Sequence, residues 1–302
     1  MALRFDGDVV VVTGAARGMG RTHALLLAAL GARVVINDLG GTKDGGAGDA
    51  SAADAVVQEI TAAGGTAMAD THDGSTAAGA QGMIEGAVTR FGRVDAVVAN
   101  AGILRDATFH KMSDADFFAV LNVHLAGTVR VFQAAYRHMR EQGYGRLVST
   151  TSAAGLFGNF GQSNYGAAKM GIVGLTRALA QETGKHDIRI NTVAPGAKTR
   201  MSEELLANAG PLGELLKPEL VSPFVAYLCH RSATPNGQIF SVAGGRIARV
   251  AVGVTGGTLL RDPTIDSVAA AMDGVMARTD FIFPGNVFDE VKLMAQDLGG
   301  KP

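Results

Sequence analysis

A glycine-rich stretch, Thr13-Gly14-Ala15-Ala16-Arg17-Gly18-Met19-Gly20, follows a run of four valines (Val9 to Val12) and opens an Ala- and Leu-rich segment. Consecutive β-branched residues favour a buried strand. Gly18 to Leu30 reads as a helix, with Leu25, Leu26 and Leu30 able to share a face. A strand that turns at once into a helix through glycines leaves few architectures open. The alternation then continues, with strands at Arg33 to Asn37, Thr66 to Ala69, Val94 to Ala99, Tyr144 to Thr151, Ile188 to Val193 and Ile239 to Val242. Between them, Ala52 to Ala63, Thr76 to Phe91, a long segment after Ser113 and Tyr165 to Thr183 read as helices. Ser113 is a candidate N-cap, with Asp116 three residues on in a weak form of the capping box. Alternation of this kind predicts a parallel sheet covered by helices on both faces. Right-handed crossovers make the doubly wound α/β arrangement, the Rossmann fold, the simplest topology.

Two segments break the rhythm. Gly40 to Asp49 (GGTKDGGAGD) is polar and reads as a flexible surface loop. The tail after Gly245 carries one helical stretch, Ile265 to Met276, too short for a separate domain. The expected organisation is a Rossmann domain over 1–245 and a C-terminal extension over 246–302, packed on the body or on a partner subunit.

Lys and Arg number 27 against 28 Asp and Glu, which gives no electrostatic case for nucleic acid or an anionic membrane. Cys229 is the single cysteine, so no internal disulfide can form, and its apolar surroundings, Phe224 to Leu228, suit packing. The first residues lack the basic-then-apolar pattern of a secretory signal, and no uninterrupted apolar run approaches the ~18 residues of a membrane span. A soluble cytoplasmic protein without membrane insertion is expected. The seven histidines show no metal-ligand spacing, so no metal is expected.

The glycine loop allows a tight turn and lets backbone approach a pyrophosphate, to which a helix N-terminus offers free N–H groups and a positive dipole end. Asp38 ends the second strand, 18 residues beyond Gly20, where its carboxylate can accept from adenosine ribose hydroxyls and repel the extra phosphate of NADP. Arg17 pulls the other way, since a guanidinium in the loop can pair with that phosphate. Asp38 sits at the ribose position itself, so NAD is the expected cofactor. Asp73 follows the third strand, where an adenine edge would lie, and is equally a turn residue before Gly74. Asn100-Ala101-Gly102 follows the fourth strand, with Asn100 able to tie strand ends together and the small residues leaving room for the cofactor.

Tyr165 and Lys169 are four residues apart and share a helical face. A cation beside a phenol favours phenolate and lowers its pKa, so the phenol can exchange a proton with an alcohol. Ser152, 13 residues earlier and just after a strand, can hold the substrate oxygen beside it. Together these residues resemble the short-chain dehydrogenase/reductase family over about residues 5–245. The resemblance implies Ser152, Tyr165 and Lys169 as catalytic, Lys169 also holding the nicotinamide ribose, and Pro195-Gly196 lying beside the nicotinamide. It also implies a homodimer or homotetramer. Asn37 to Gly41, the run NAGILRD from Asn100, Gly158 to Gln162 and Leu216 to Glu219 are similar to one subgroup, the dehydrogenase part of type 2 peroxisomal multifunctional enzymes. That part oxidises (3R)-3-hydroxyacyl-CoA and is linked to 17β-hydroxysteroid oxidation. No hydratase or sterol-carrier segment accompanies it here, so the chain resembles a stand-alone version.

Two positions depart from the family pattern. Its catalytic Asn normally lies three residues before a Gly in the fourth long helix, and here that position holds His124, before Gly127. Asn122 is two residues earlier, about 200° away around a helix. The resemblance thus makes His124 the candidate for the missing group, linking Lys169 to solvent by a proton path, against the plainer reading of a packed histidine. The family often has Thr five residues after the Pro of its Pro-Gly pair; here that residue is Arg200, which leaves Thr199 to reach the nicotinamide carboxamide. The leading expectation is NAD-dependent oxidation of a 3-hydroxyacyl-CoA, with Met201, Leu205, Leu206, Leu212 and Leu215 as candidates for an apolar channel wall. A 17β-hydroxysteroid dehydrogenase acting on a free sterol alcohol is one alternative. A non-catalytic nucleotide-binding protein is another, disfavoured by the intact Ser152, Tyr165 and Lys169.

Overall fold

The computed structural model describes residues 3–46, 48–49, 51–199 and 211–299. Contacts divide the chain into two units, 1–249 and 250–302. In the first, an eight-stranded sheet has the order β3-β2-β1-β4-β5-β6-β7-β8. The strands are β1 (Val9–Thr13), β2 (Arg33–Asn37), β3 (Thr66–Asp70), β4 (Ala96–Ala99), β5 (Tyr144–Thr150), β6 (Asp187–Gly196), β7 (Ile239–Ala243) and β8 (Arg246–Val250). Neighbours from β3 across to β7 pair in parallel. Order reverses between β1 and β4, so a crevice opens at their carboxyl ends, the usual ligand position in such sheets. The doubly wound fold read from the sequence is therefore the observed one.

The valine run shows why the sheet must be covered on both sides. Val10 and Val12 join Val34, Ile36, Ala96 and Val98 in one core layer, while Val9 and Val11 join Val35 and Val97 in the other. Successive side chains of a strand point to opposite faces, so a strand apolar throughout needs two apolar layers. Leu27 of helix α1 (Gly18–Ala29) and Ile60 of α2 (Ala52–Ala62) fill the first. Met83 and Ile84 of α3 (Ala77–Phe91), with Val131, Phe132 and Met139 of the long helix α4 (Asp114–Gln142), fill the second. Each such side chain, fully buried, contributes about 1.5–3 kcal/mol. By length and composition α4 could cross a bilayer, a feature absent from the count of uninterrupted apolar residues. Its apolar residues instead supply this core.

Ser113 caps α4 as expected, its hydroxyl accepting from Asp116 N–H at 3.1 Å, worth about 1 kcal/mol. The helix is not regular throughout, for Asn122–Ala126 forms a π-turn. The short helix α5 (Ala153–Phe157) packs on α6 (Ser163–Glu182), a further short helix α7 (Pro211–Leu215) follows β6, and α8 (Ser222–Cys229) packs on α1. Cys229 is buried within it, its thiol pushed up to about 12 by burial, an inert packing residue.

Two expectations need correction here. The 40–49 segment is not a free loop: Lys43 O accepts from Leu104 N at 2.9 Å and Asp44 O from Arg105 Nε at 2.9 Å, tying it to the exit of β4. The residues after Gly245 begin as strand β8, beside β7, rather than as tail. The second unit holds α9 (Ile265–Met276) and α10 (Val287–Asp297). Both start in full capping boxes, Thr264 with Ser267 and Asn286 with Asp289. A bridge joins Val254 to Ile282.

Candidate active site

Every candidate residue that the structure describes lies at or just beyond the carboxyl edge of the sheet, or on a helix that starts there. The loop after β1 makes the sharpest geometric demand. Gly14 has φ +64°, and a Cβ on it would stand 2.8 Å from Ala101 Cα. Gly18 also has positive φ, and Thr199 Cγ2 would lie 3.6 Å from a Cβ built there, which puts Thr199 over the loop. Helix α1 starts with no side-chain cap and no acidic residue in its first turn. Its first N–H groups are thus open to an external acceptor. Met19 lies half-buried against the core.

Asp38 accepts from Ala16 N at 2.9 Å through Oδ2 and from Gly40 N at 2.7 Å through Oδ1. Each oxygen keeps a lone pair for a further donor. Arg17, its rival in the sequence, donates to Gly40 O at 3.2 Å and Gly41 O at 3.4 Å, so its guanidinium is engaged with backbone. Asp73 is placed as a turn residue: its Oδ1 accepts from Ser75 N at 2.8 Å ahead of the α3 cap Thr76. Sequence reading missed its neighbour Asp70, buried and accepting from Asn37 Nδ2 (2.6 Å) and His72 Nδ1 (2.7 Å).

Asn100 ties strand ends together as expected, its Nδ2 donating to Thr13 O (3.1 Å) and Gly14 O (3.2 Å). Thr13 Oγ1 accepts from Asn100 N and Ala101 N. Pro195 and Gly196 end β6, paired with Val242 and Ala243. Arg200, Met201, Leu205 and Leu206 lie outside the described residues, as does the Leu212 side chain. Leu215 is exposed.

Ser152, Tyr165 and Lys169 come together. Ser152 follows β5 and caps α5, accepting from Ala154 N at 3.2 Å. Tyr165 and Lys169 project from the start of α6, with Lys169 Nζ 5.5 Å from the phenol ring centroid. Lys169 is 3% exposed and donates to Thr150 O at 2.6 Å. Burial brings its ammonium down to about 7. The Tyr165 phenol pKa is raised rather than lowered. Burial, the largest effect, raises it, the hydrogen bond with Ser152 pulls the other way, and the Asp106 charge adds to the rise. The physical reason is the burial of the phenol, and Lys169 donates to the Thr150 carbonyl rather than to the phenol oxygen.

His124 lies in the π-turn of α4, 2% exposed, its ring edge-on to Tyr165 at 5.1 Å and 89°. Its Nε2 faces both Ile103 N (3.1 Å) and Ile103 O (2.8 Å), while Nδ1 is buried with no hydrogen-bond partner. Burial first, then the Lys169 charge, holds the imidazole neutral, well below its usual range. Its own carbonyl accepts from Thr128 Oγ1 at 2.6 Å. Asn122 is exposed and accepts from Arg130, so it does not replace the inward group. The enclosed ring contacts Ile103 and Tyr165.

The site also contains two residues without an assigned role in the sequence, Asp106 and Gln162, bonded at 2.8 Å. Both lie in runs singled out there, NAGILRD and Gly158 to Gln162, which was the available signal. Among the described residues no cluster of His, Cys, Asp or Glu could hold a metal.

Residues 8–210 match the short chain dehydrogenase family. The chain is 50% identical over 263 residues to a short-chain type dehydrogenase/reductase of Mycobacterium tuberculosis, covering 87% of this chain and 91% of that one. It is 49% identical over 259 residues to the mouse peroxisomal multifunctional enzyme type 2, covering 86% of this chain and 35% of that one. The full-length Drosophila melanogaster enzyme of that name superimposes with TM-score 0.81 at 36% identity, covering 98% of this chain and 50% of that one. The chain thus spans only a third to a half of these multifunctional relatives.

Proposed function

Because the chain belongs to the short-chain dehydrogenase family and is an oxidoreductase acting on CH–OH, we propose that it oxidises the secondary alcohol of a 3-hydroxyacyl-CoA with NAD. The observation that carries this reading is the meeting of Ser152, Tyr165 and Lys169 at the edge where the uncapped α1 N-terminus and Asp38 stand ready for a dinucleotide. The residues fit such a group: Gly14 leaves a cradle that a Cβ would fill. Gly14, Arg17, Gly18, Met19 and Gly20 would hold its pyrophosphate and Asp38 its adenosine ribose. Asp73 would border the adenine, and Asn100, Ala101, Gly102, Pro195, Gly196 and Thr199 the nicotinamide half. When bound, NAD supplies the hydride acceptor.

The chain's own residues handle the proton. Ser152 holds the substrate oxygen against Tyr165, whose phenolate takes the hydroxyl proton as the carbinol hydride leaves. A protonated Lys169 beside the ring favours that phenolate and would also hold the nicotinamide ribose. His124 positions the phenol ring rather than passing protons. The likeness to multifunctional enzymes with a dehydrogenase activity supports a hydroxyacyl thioester as substrate; a cytoplasmic homodimer or homotetramer is the accompanying proposal, drawn from the sequence alone. The test is direct: incubation with a 3-hydroxyacyl-CoA and NAD, following reduced nicotinamide by absorbance and the 3-ketoacyl-CoA by mass. Formation of both in equal amounts is expected, and no oxidation of any chain length refutes the proposal.

A further inference from the structure

Tyr165 sits in the first turn of α6, and that turn is held in an unusual way. Gln162 stands at the N-cap and makes no side-chain cap hydrogen bond, so the early N–H groups of the helix need other acceptors. Asn164 supplies one from inside the turn. Its Oδ1 accepts from Tyr165 N at 2.7 Å, and its Nδ2 donates to Arg105 O at 2.8 Å. The amide fits only this way round, because Tyr165 N only donates and Arg105 O only accepts. Asn164 is 0% exposed, so water is no substitute at either end. A second stitch runs beside it, Ala107 N donating to Gly161 O at 2.9 Å.

The stretch that Asn164 grips runs on from β4 and touches the rest of the site. Asn100 holds Thr13 O and Gly14 O of the glycine loop. Ile103 faces His124, while Leu104 N and Arg105 Nε donate to Lys43 O and Asp44 O. One turn further along α6, Lys169 is tied to β5 and its exit: its Nζ donates to Thr150 O at 2.6 Å and its carbonyl accepts from Thr151 Oγ1 at 2.7 Å. Asn164 makes the corresponding tie for Tyr165, to the exit of β4.

We propose that Asn164 is a positioning residue, which fixes the Tyr165 end of α6 against the β4 exit and so sets where the phenol stands relative to Ser152 and the cofactor loop. This rests on the reading of Tyr165 as proton acceptor. Misplacing a reacting group by about 1 Å can cost ~10²-fold in rate. The position demands one donor and one acceptor at fixed ends. An ionised carboxylate of the same shape offers acceptors alone and repels Arg105 O; protonated, it regains a donor. The charged and titratable groups around this strut are few. Arg105 is turned to Asp116 at 3.1 Å, and Asp106 is held by Gln162 at 2.8 Å. Tyr165 and Lys169 follow on α6, with the neutral His124 against the Tyr165 ring.

The test compares the parent with Asn164→Asp and Asn164→Ser, each confirmed as folded by circular dichroism at the assay temperature. With a 3-hydroxyacyl-CoA and NAD at pH ~8, kcat should fall at least ~10-fold in both, while the Kd for NAD by calorimetry stays within about threefold of the parent. In Asn164→Asp the deficit relative to the parent should shrink as pH falls toward ~6, because burial raises a carboxyl pKa and protonation restores the donor. In Asn164→Ser, too short to reach both partners, the deficit should not change with pH. A folded Asn164→Ser with the kcat of the parent overturns the proposal. A deficit in folded Asn164→Asp that does not shrink on acidification overturns it too, as does loss of NAD binding in step with kcat. Thioester oxidation is measured on the parent first, so failure of the functional reading appears there and failure of this proposal only in the variants.

Discussion

At the scale of single residues the account rests on Tyr165, Lys169 and Asp38. Tyr165→Phe keeps the ring packed against His124 and removes the exchangeable proton. Turnover should fall at least ~10²-fold, the usual loss for a general acid or base, while NAD binding by calorimetry persists. Asp38→Ala with Leu39→Arg replaces a ribose acceptor by a phosphate partner, so kcat/KM should shift toward NADP by at least tenfold, roughly the worth of one charge-assisted contact. Lys169 allows a prediction with a definite sign. Its folded value of about 7 lies below the ordinary 10.5. Between those values the unfolded chain binds a proton that the folded chain does not. Stability of the cofactor-free protein therefore rises as pH climbs from about 7 toward 10.5, with the full penalty in place below 7. Lys169→Met should melt several degrees higher than the parent at pH ~7, the gap closing by pH ~10.5. A gap that widens with pH contradicts the assignment.

At the scale of elements, the exit of β4 and the π-turn of α4 form one device. Gly102 packs so closely on His124 that any Cβ there would overlap the imidazole. Gly102→Ala should cost about 1–3 kcal/mol, the range for overpacking, and adding His124→Ala should recover part of it. Additive losses in denaturant melts would show that the two do not share this space. His23 on α1 is a second enclosed imidazole, held near 4 by burial and bonded to Ser222 at 2.7 Å. The unfolded chain takes up protons on both histidines from about pH 6.5 downward and the folded chain does not, so stability should fall as pH drops below 6.5. Element positions were legible in the sequence because their patterns are strong: β2 runs Arg33–Asn37 and α9 runs Ile265–Met276, as read. The π-turn was not legible, since a single inserted residue leaves a helical pattern intact. Strand β8, Arg246–Val250, alternates weakly and sits at the sheet edge, where little burial enforces a pattern.

At the scale of the whole molecule, the carboxyl edge of the sheet was legible before the structure, because glycine loop, Asp38, Asn100, Ser152 and Tyr165 each follow or cap a predicted element. What escaped was long-range: Asp106 and Gln162 are 56 residues apart and meet only once the β4 exit folds onto α6. The shift at Tyr165 also escaped, because burial and the direction in which Lys169 points are tertiary facts. The central claim is that this site oxidises a CoA thioester through Tyr165. The most direct measurement compares kcat/KM for a 3-hydroxyacyl-CoA, the matching free alcohol and a set of 17β-hydroxysteroids, with NAD and NADP, at low and high salt. The account predicts that the thioester with NAD is strongly preferred and that the preference shrinks with salt, as screening weakens exposed ion pairs to the CoA phosphates. Free 17β-hydroxysteroids equalling or exceeding every 3-hydroxyacyl-CoA would contradict it.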